Sequence, residues 1–501
     1  MTGGGQAVSA ASGEAKGWRG HPAGLAPLFF TELWERFSYY GMRALLTLFM
    51  VAPAAAGGLG LDVGEAARIY GNYTMAVYML AIPGGYIADA FLGARRSVLW
   101  GGATIATGHF LLAVPARWSF FAGLLLIALG TGLLKPNISA LVGGLYAKDD
   151  ERRDAGFSLF YLGINLGAFL APLVTGFLAQ SQYVKDRLSA LGLDPNASWH
   201  LGFGAAGIGM TLGLAVFVRH MHALPEPERS AHLAGEREAG PRLVYVLGAT
   251  GALIALAWLS DRPGWLWLRL MFVAAPVAAA VVFARSPDPE RRRLAAIAVF
   301  FLASMTFWAL FEQAGLSVAL FCDELTRNEI AGIAFPSAWF QALNPLFVIA
   351  LAPVLAALWT RMGARQPSSP AKFVAGLMLL AASFLVMVPA AKLTAEGRVS
   401  PLWIVALFFL QTVGELMVSP VGLSLITRLA PPGLVGVMLG VWFLGASWGN
   451  KLAGIIGESF SAKDPAGLAA FFSAEAALAA AAAILLLLLV PWLRKLMGEV
   501  R

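Results

Sequence analysis

The sequence predicts an all-α integral membrane protein: two six-helix bundles with a two-helix insert between them. Three observations carry this expectation. The chain of 501 residues is 58% hydrophobic and only 13% charged, with a mean hydropathy of +0.70, whereas a soluble domain carries about 25% charged residues. Apolar stretches recur along nearly its whole length, each near the ~20 residues needed to cross a ~30 Å hydrocarbon core. Where charge does enter such a stretch, as it does near the N-terminus, it falls on one helical stripe.

The formal net charge of +7 does not point to nucleic acid, because Lys and Arg gather in alternate loops. Arg95-Arg96, Lys148 with Arg152-Arg153, Arg291-Arg292-Arg293, Arg361 with Arg365, and Arg494-Lys495 all fall on one side of an alternating topology. Basic residues mark the cytoplasmic side of membrane proteins. The single cysteine, Cys322, excludes an intramolecular disulfide and a cysteine-based metal site. Residues 1–23, rich in Gly, Ala and Ser without an apolar core, predict a disordered cytoplasmic tail and not a cleaved signal peptide.

Six spans, at about residues 25–51, 69–91, 97–115, 119–146, 156–180 and 200–219, make an N-terminal bundle within 24–222. A polar stretch over 219–242, with Pro and many charges, then separates two further spans at about 242–260 and 264–284. Linker and insert together occupy 223–293. The insert has Trp and Arg at its ends and almost nothing ionisable inside, so a lipid-facing scaffold is expected. The last six spans, at about 295–321, 336–360, 372–391, 401–427, 434–456 and 467–493, form a C-terminal bundle within 294–497. About fourteen helices is an even number, which places both termini in the cytoplasm of a multi-pass cell-membrane protein.

The first span contains Glu32-Leu-Trp-Glu-Arg-Phe-Ser-Tyr-Tyr-Gly41. At 100° per residue Glu32, Arg36, Tyr39 and Arg43 share one face, flanked by Glu35 and Tyr40. Ionisable groups at membrane depth cost a few kcal/mol each unless they find partners or a wet cavity. The stripe therefore predicts a polar pathway. Lys135, deep in an apolar span, is the expected basic partner of Glu32 and Glu35. Protonation of a carboxylate would then release Lys135 or Arg36.

The segment Gly84-Gly-Tyr-Ile-Ala-Asp89-Ala-Phe-Leu-Gly93-Ala-Arg95-Arg96 resembles the signature loop of the major facilitator superfamily, and Trp359-Thr-Arg361-Met-Gly363-Ala-Arg365 is a weaker echo in the second half. That likeness implies two halves rocking about a site at the midplane. The decapeptide in the first span resembles the Glu-x-x-Glu-Arg-Phe-x-Tyr-Tyr-Gly motif of the proton-dependent oligopeptide transporter family. Gly130-Thr-Gly-Leu-Leu-Lys135-Pro136-Asn137, Phe160-Tyr-Leu-Gly-Ile-Asn165-Leu-Gly167 and Phe307-Trp308-Ala-Leu-Phe-Glu312-Gln313-Ala-Gly315 are similar to its fourth, fifth and seventh helices. Trp339-Phe-Gln-Ala-Leu-Asn344-Pro345, Gly414-Glu415 with Ser419-Pro420, and Trp442-Phe443-Leu444 resemble the eighth, tenth and eleventh. The two-helix insert is a feature of bacterial members.

The resemblance implies a symporter that imports dipeptides and tripeptides by alternating access, with the proton as coupling ion and no other cofactor. It implies a salt bridge between Arg43 and Glu312 that gates the bundle interface. Glu415, the lone acid of its span, with Asn165 and Asn344 would make an acceptor-rich end suited to an ammonium group. Arg36, Lys135 and Tyr40 would make a donor-rich end suited to a carboxylate. Tyr39, Tyr78, Trp308 and Trp442 would form amphipathic walls. A monomeric functional unit is expected.

Two positions depart from the pattern. Gly71 stands where animal members carry a second-helix His, leaving carboxylates to carry coupling, and Ala446 stands where some bacterial members have a Ser that bonds substrate. His109 and His200 lack second ligands at suitable spacing and are expected to make structural hydrogen bonds. Two other readings remain: a proton-coupled carrier of nitrate or another small anion, which would have no use for Glu415, and a polytopic membrane enzyme, for which the chain offers no convincing Ser–His or Asp–His pair and no metal-ligand cluster. Reporter tags near Lys148, Arg292 and the C-terminus should all report the cytoplasm, and tags near Gly58 or Lys185 the outside. A C-terminus found outside overturns the even helix count.

Overall fold

The computed structural model describes residues 18–147, 150–225, 239–265, 267–330, 332–430 and 435–497. The tail up to residue 17, Lys148 and linker residues 226–238 lie outside the described residues. The first half holds α1 (Leu25–Val51), α2 (Val63–Met79) continued by α3 (Ala81–Ile87), α4 (Ala94–Leu112), α5 (Arg117–Gly143), α6 (Arg153–Gln180), the short α7 (Gln182–Ala190) and α8 (Ser198–His220). The insert is α9 (Ala239–Leu259) and α10 (Leu268–Ala284). The second half holds α11 (Pro289–Phe311), α12 (Ser317–Glu324), α13 (Leu343–Met362), α14 (Ser369–Leu393), α15 (Leu402–Leu429), α16 (Val435–Gly457) and α17 (Pro465–Met497). A two-residue antiparallel hairpin, β1 (Glu329–Ile330) with β2 (Ile333–Ala334), lies between α12 and α13.

Among the described residues, ten helical segments are long and apolar enough to cross a membrane. The expected fourteen would also need α1, α4, α10 and α16, which fall short in length or apolarity. In α1 the shortfall has a plain cause: Glu32, Glu35, Arg36 and Arg43 all lie on it. The face at which α1 begins is called the near face below, and the opposite one the far face.

Within the first half α1 packs on α6 and α8, and α4 on α5; within the second, α14 packs on α15 and α17, and α11 on α16. The halves meet mainly at α2 with α16 and at α6 with α13, and α1 also touches α12. Small residues permit this closeness. A Cβ on Gly84 would lie 2.1 Å from the Gly132 carbonyl oxygen, and one on Gly71 2.8 Å from Gly454 Cα. In lipid, where apolar burial gives no bias between helices, such close backbone approach is a main source of packing energy.

Three expectations change. The second span begins at Val63, where the Asp62 side chain accepts from Glu65 N at 2.9 Å and caps the helix. Residues 84–92, read as a loop, are helical through Leu92, and the chain reverses at Gly93 with φ of 78°. The echo in the second half likewise turns at Gly363, with φ of 49°, a conformation open to glycine at no steric cost.

The seventh span is not one helix. It breaks at a 3-10 turn, Glu312–Gly315, before resuming as α12. The freed carbonyls are bonded: Thr47 Oγ1 donates to Gly315 O at 2.6 Å and Gln341 Nε2 to Ala314 O at 2.5 Å. Broken backbone at membrane depth persists only where protein or a cavity satisfies it. The eighth span likewise starts as a 3-10 turn, Ser337–Ala342, ahead of α13.

The insert mostly faces outward, with Tyr245, Leu270 and Val282 among its exposed residues. Its connecting turn does not. There Asp261, with Arg269 at the start of α10, reaches into the junction of α2 and α16, and Ala257 of α9 and Phe272 of α10 are buried against the same junction, so the insert is not a purely outward-facing scaffold.

Candidate transport site

Arg36 is held from both sides by its own helix. Its Nε lies 3.1 Å from Glu32 Oε1 and is also hydrogen-bonded to Glu35 Oε2. All three side chains are buried, and one turn on, the Tyr39 ring lies 5.5 Å from the guanidinium. Lys135 is not a direct member of this group. Its ammonium sits 4.0 Å over the centroid of the Tyr78 ring, a cation–π contact. Arg36 is adjacent to one acid and a single helical turn from the other, so it takes the counter-charge role expected of Lys135. Glu32 Oε2, Glu35 Oε1 and Arg36 Nη2 each have capacity left for a further hydrogen bond.

The second charged group crosses between the halves. Arg43 Nη2 lies 2.5 Å from Glu312 Oε2, and the Tyr70 hydroxyl accepts from Arg43 Nε at 2.7 Å while donating to Glu312 at 3.1 Å. Tyr70 was not anticipated, because an aromatic ring in an apolar span reads as packing. The break after α11 aims Glu312 at α1. Beside it Gln313 donates to Ala453 O of α16 at 2.9 Å and accepts from Ser317 Oγ at 2.9 Å. Farther out, Gln180 of α6 bonds Ser337 at 2.9 Å, and Ser337 donates to Asp323 at 2.6 Å. Of these, the bonds of Arg43 and Tyr70 to Glu312 and of Gln180 to Ser337 cross between the halves and close the far side of the interface.

Below this seal lies a cavity in two connected chambers that share Tyr78, Tyr161, Trp308 and Glu415. The inner chamber, about 150 Å³, reaches Tyr40, Arg43, Asn165, Glu312 and Asn344. The outer, about 610 Å³, reaches Lys135 and Trp442 and runs past Trp359 and Phe443 toward the near face. Asn344 Nδ2 donates to Glu415 Oε2 at 2.8 Å and to Thr412 Oγ1 at 3.0 Å, fixing the carboxylate's orientation. Asn165 lines the chamber but donates back to Tyr161 O at 3.0 Å. It does not bond Glu415.

Four of the expected residues do not line these chambers. Glu32, Glu35 and Arg36 lie behind the wall, and Tyr39 is buried edge-on against Tyr40 at 5.4 Å. Tyr39 therefore packs instead of forming a wall. Ala446 does line the outer chamber. His200 Nδ1 lies 3.0 Å from Leu112 O, as a structural histidine would. His109, fully buried, shows no such bond among the described residues.

Two helical halves around a cavity lined by charged side chains among apolar ones, shut at one face and open toward the other, define a membrane transporter. Residues 95–223 and 247–472 match the model of the POT family, and the chain belongs to that family. The peptide transporter YePEPT of Yersinia enterocolitica is 39% identical over 96% of both chains. The di-/tripeptide transporter of Lactococcus lactis subsp. cremoris is 37% identical over 96% of this chain and 98% of its own. A solved mutant of the peptide transporter POT in complex with alafosfalin matches with a TM-score of 0.85 at 39% identity, over 97% of each chain. A POT family transporter in complex with 5-aminolevulinic acid matches with a TM-score of 0.81 at 31% identity, over 95% of this chain and 98% of that one.

Breaking a buried ion pair by removing one partner costs about 3–5 kcal/mol, because the survivor keeps its desolvation penalty. Arg43→Gln and Glu312→Gln should each lower thermal stability in detergent by that order. The double variant should recover much of the loss. Strictly additive losses would show that the two groups do not pair.

Proposed function

We propose that this chain is a proton-coupled symporter that imports dipeptides and tripeptides by alternating access of its two bundles. The observation that carries this reading is Lys135 and Glu415 lining one continuous cavity. A cation and an anion at separate positions match a zwitterion whose termini are a peptide bond or two apart. The ammonium would meet Glu415, already oriented by Asn344, and the carboxylate would meet Lys135 and, once released, Arg36. A carrier of nitrate is disfavoured by the acid in its path, which would repel the cargo. The names of the Yersinia and Lactococcus relatives support peptides as cargo, and membership of a transporter family points to transport and away from catalysis.

The geometry divides the carboxylates. Glu32 and Glu35 pair within α1, so protonating them frees Arg36 toward the cavity without loosening the bundles. Glu312 pairs across the halves, so protonating it removes a bond that holds the far face shut. On this reading the near face is cytoplasmic, following the basic loops, and a single chain holds the whole cavity. The proton is the only coupling ion needed.

Peptide-dependent proton influx into sealed vesicles tests the reading as a whole; uptake with no proton movement would defeat it. Recognition is tested by a competition matrix. Truncating one partner of a buried charged pair costs about 2–5 kcal/mol, so acetylating a dipeptide's amine or amidating its carboxylate should each weaken competition at least roughly tenfold. Glu415→Gln should weaken the free dipeptide strongly and the acetylated one little. Equal losses for both ligands would remove Glu415 from amine recognition.

A further inference from the structure

The turn of the two-helix insert carries a buried polar network. Lys451 of α16 is 1% exposed, and its Nζ lies 2.7 Å from each oxygen of Asp261. The same ammonium donates to Asn72 Oδ1 of α2 at 2.8 Å, and Asn72 Nδ2 donates to Asp261 Oδ2 at 2.8 Å. Around this triangle, Arg269 of α10 reaches Glu458 at 2.9 Å and Asp261 at 3.3 Å. Arg68 of α2 stands 3.8 Å from Glu458. Three bodies thus meet on one carboxylate: the first half, the second half and the insert.

A lysine this deep is held only by a counter-charge, since an unpaired ammonium in low dielectric is strongly disfavoured. The insert supplies that charge. The site also sits on the seam that alternating access must open. Tyr70, which bonds both Arg43 and Glu312, is two residues from Asn72 on α2, and Gly71 between them abuts Gly454 of α16. On the membrane side, Met75 and Met79 of α2, Ala257 of α9 and Phe272 of α10 form one apolar cluster with Trp448 and Leu452 of α16. The insert spans the seam.

We propose that the insert is part of the gate: Asp261, seated on Lys451 of α16 and Asn72 of α2, latches the α2–α16 seam and stabilises the conformer closed on the far face. Separation of α2 from α16 breaks the Asn72–Lys451 bond and, with it, either the Asp261–Lys451 pair or the Asn72–Asp261 bond, depending on which half keeps the insert. This makes Asp261 a positioning residue that acts through the seam, remote from the cargo. The proposal rests on the alternating-access reading, but it is independent of what is carried.

The test is a spin-label distance distribution between the far ends of α2 and α16, with labels on cysteines replacing Glu65 in the first turn of α2 and Ser459 just past α16, in a Cys322→Ala background. No peptide is present, so a wrong cargo assignment leaves the result untouched. Asp261→Asn should raise the ratio of long to short distances at least roughly tenfold, consistent with losing one partner of a buried charged pair. The swap Asp261→Lys with Lys451→Asp should return it toward wild type. Asp261→Leu with Lys451→Met removes the buried charges altogether, which guards against misfolding of the single variant, and should also favour the long distance. A folded Asp261→Asn protein, or a folded Leu/Met pair, with the wild-type distribution would overturn the proposal.

Discussion

The pairing of Arg43 with Glu312 governs the arrangement of the rest. A guanidinium and a carboxylate at membrane depth are each costly alone, and together they remain costly unless further bonds complete them. The Tyr70 hydroxyl completes them here, accepting from one and donating to the other. Two structural features follow from this need. The helix after α11 must break to aim Glu312 at α1, and the carbonyls freed by the break must be capped by Thr47 and Gln341. A local electrostatic demand thereby fixes how the two halves meet on the far face.

The same economy explains why two clusters of charge on α1 do different work. Arg36 is satisfied within its own helix by Glu32 and Glu35. Arg43, two turns on, finds its acid in the other half. On the proposed reading, protonation at the first cluster changes what the cavity offers a ligand, and protonation at the second changes whether the halves adhere. A transporter needs both responses, since cargo binding and gate opening must be linked for a gradient to do work. The chain places them about 10 Å apart along one helix.

Much of this was legible in the sequence, and for one reason. Charge inside an apolar span is rare, so Glu32, Glu35, Arg36, Arg43, Glu312 and Glu415 stood out, and helical periodicity placed those of α1 on one stripe. Asn344 beside Glu415 was legible for the same reason. What was not legible lies where the local signal is ambiguous. Glu312-Gln313-Ala-Gly315 has no proline and lies in an apolar run, so the break in the helix is a tertiary effect of the bonds it makes. Tyr70 looks like any packed aromatic. Asp261 falls between two spans, where an acid ordinarily meets solvent, and only the approach of Lys451 shows otherwise. The direct pairs of Glu32 and Glu35 are with Arg36 on their own helix, while Lys135 rests over the Tyr78 ring, a placement that sequence distance does not show. The backbone of 84–92 was taken for a loop on the strength of a motif, although nothing in it stops a helix before Gly93.

On the proposed mechanism, a proton on Glu312 is what loosens the far face. Glutamine keeps the size and hydrogen-bonding reach of that side chain but cannot take up or release a proton. The direct measurement is Glu312→Gln in vesicles, with peptide counterflow and gradient-driven accumulation recorded side by side. Counterflow should persist, since exchange needs only a cavity and moving halves, while accumulation against a peptide gradient should be lost. Accumulation at the wild-type level in that variant would contradict the mechanism.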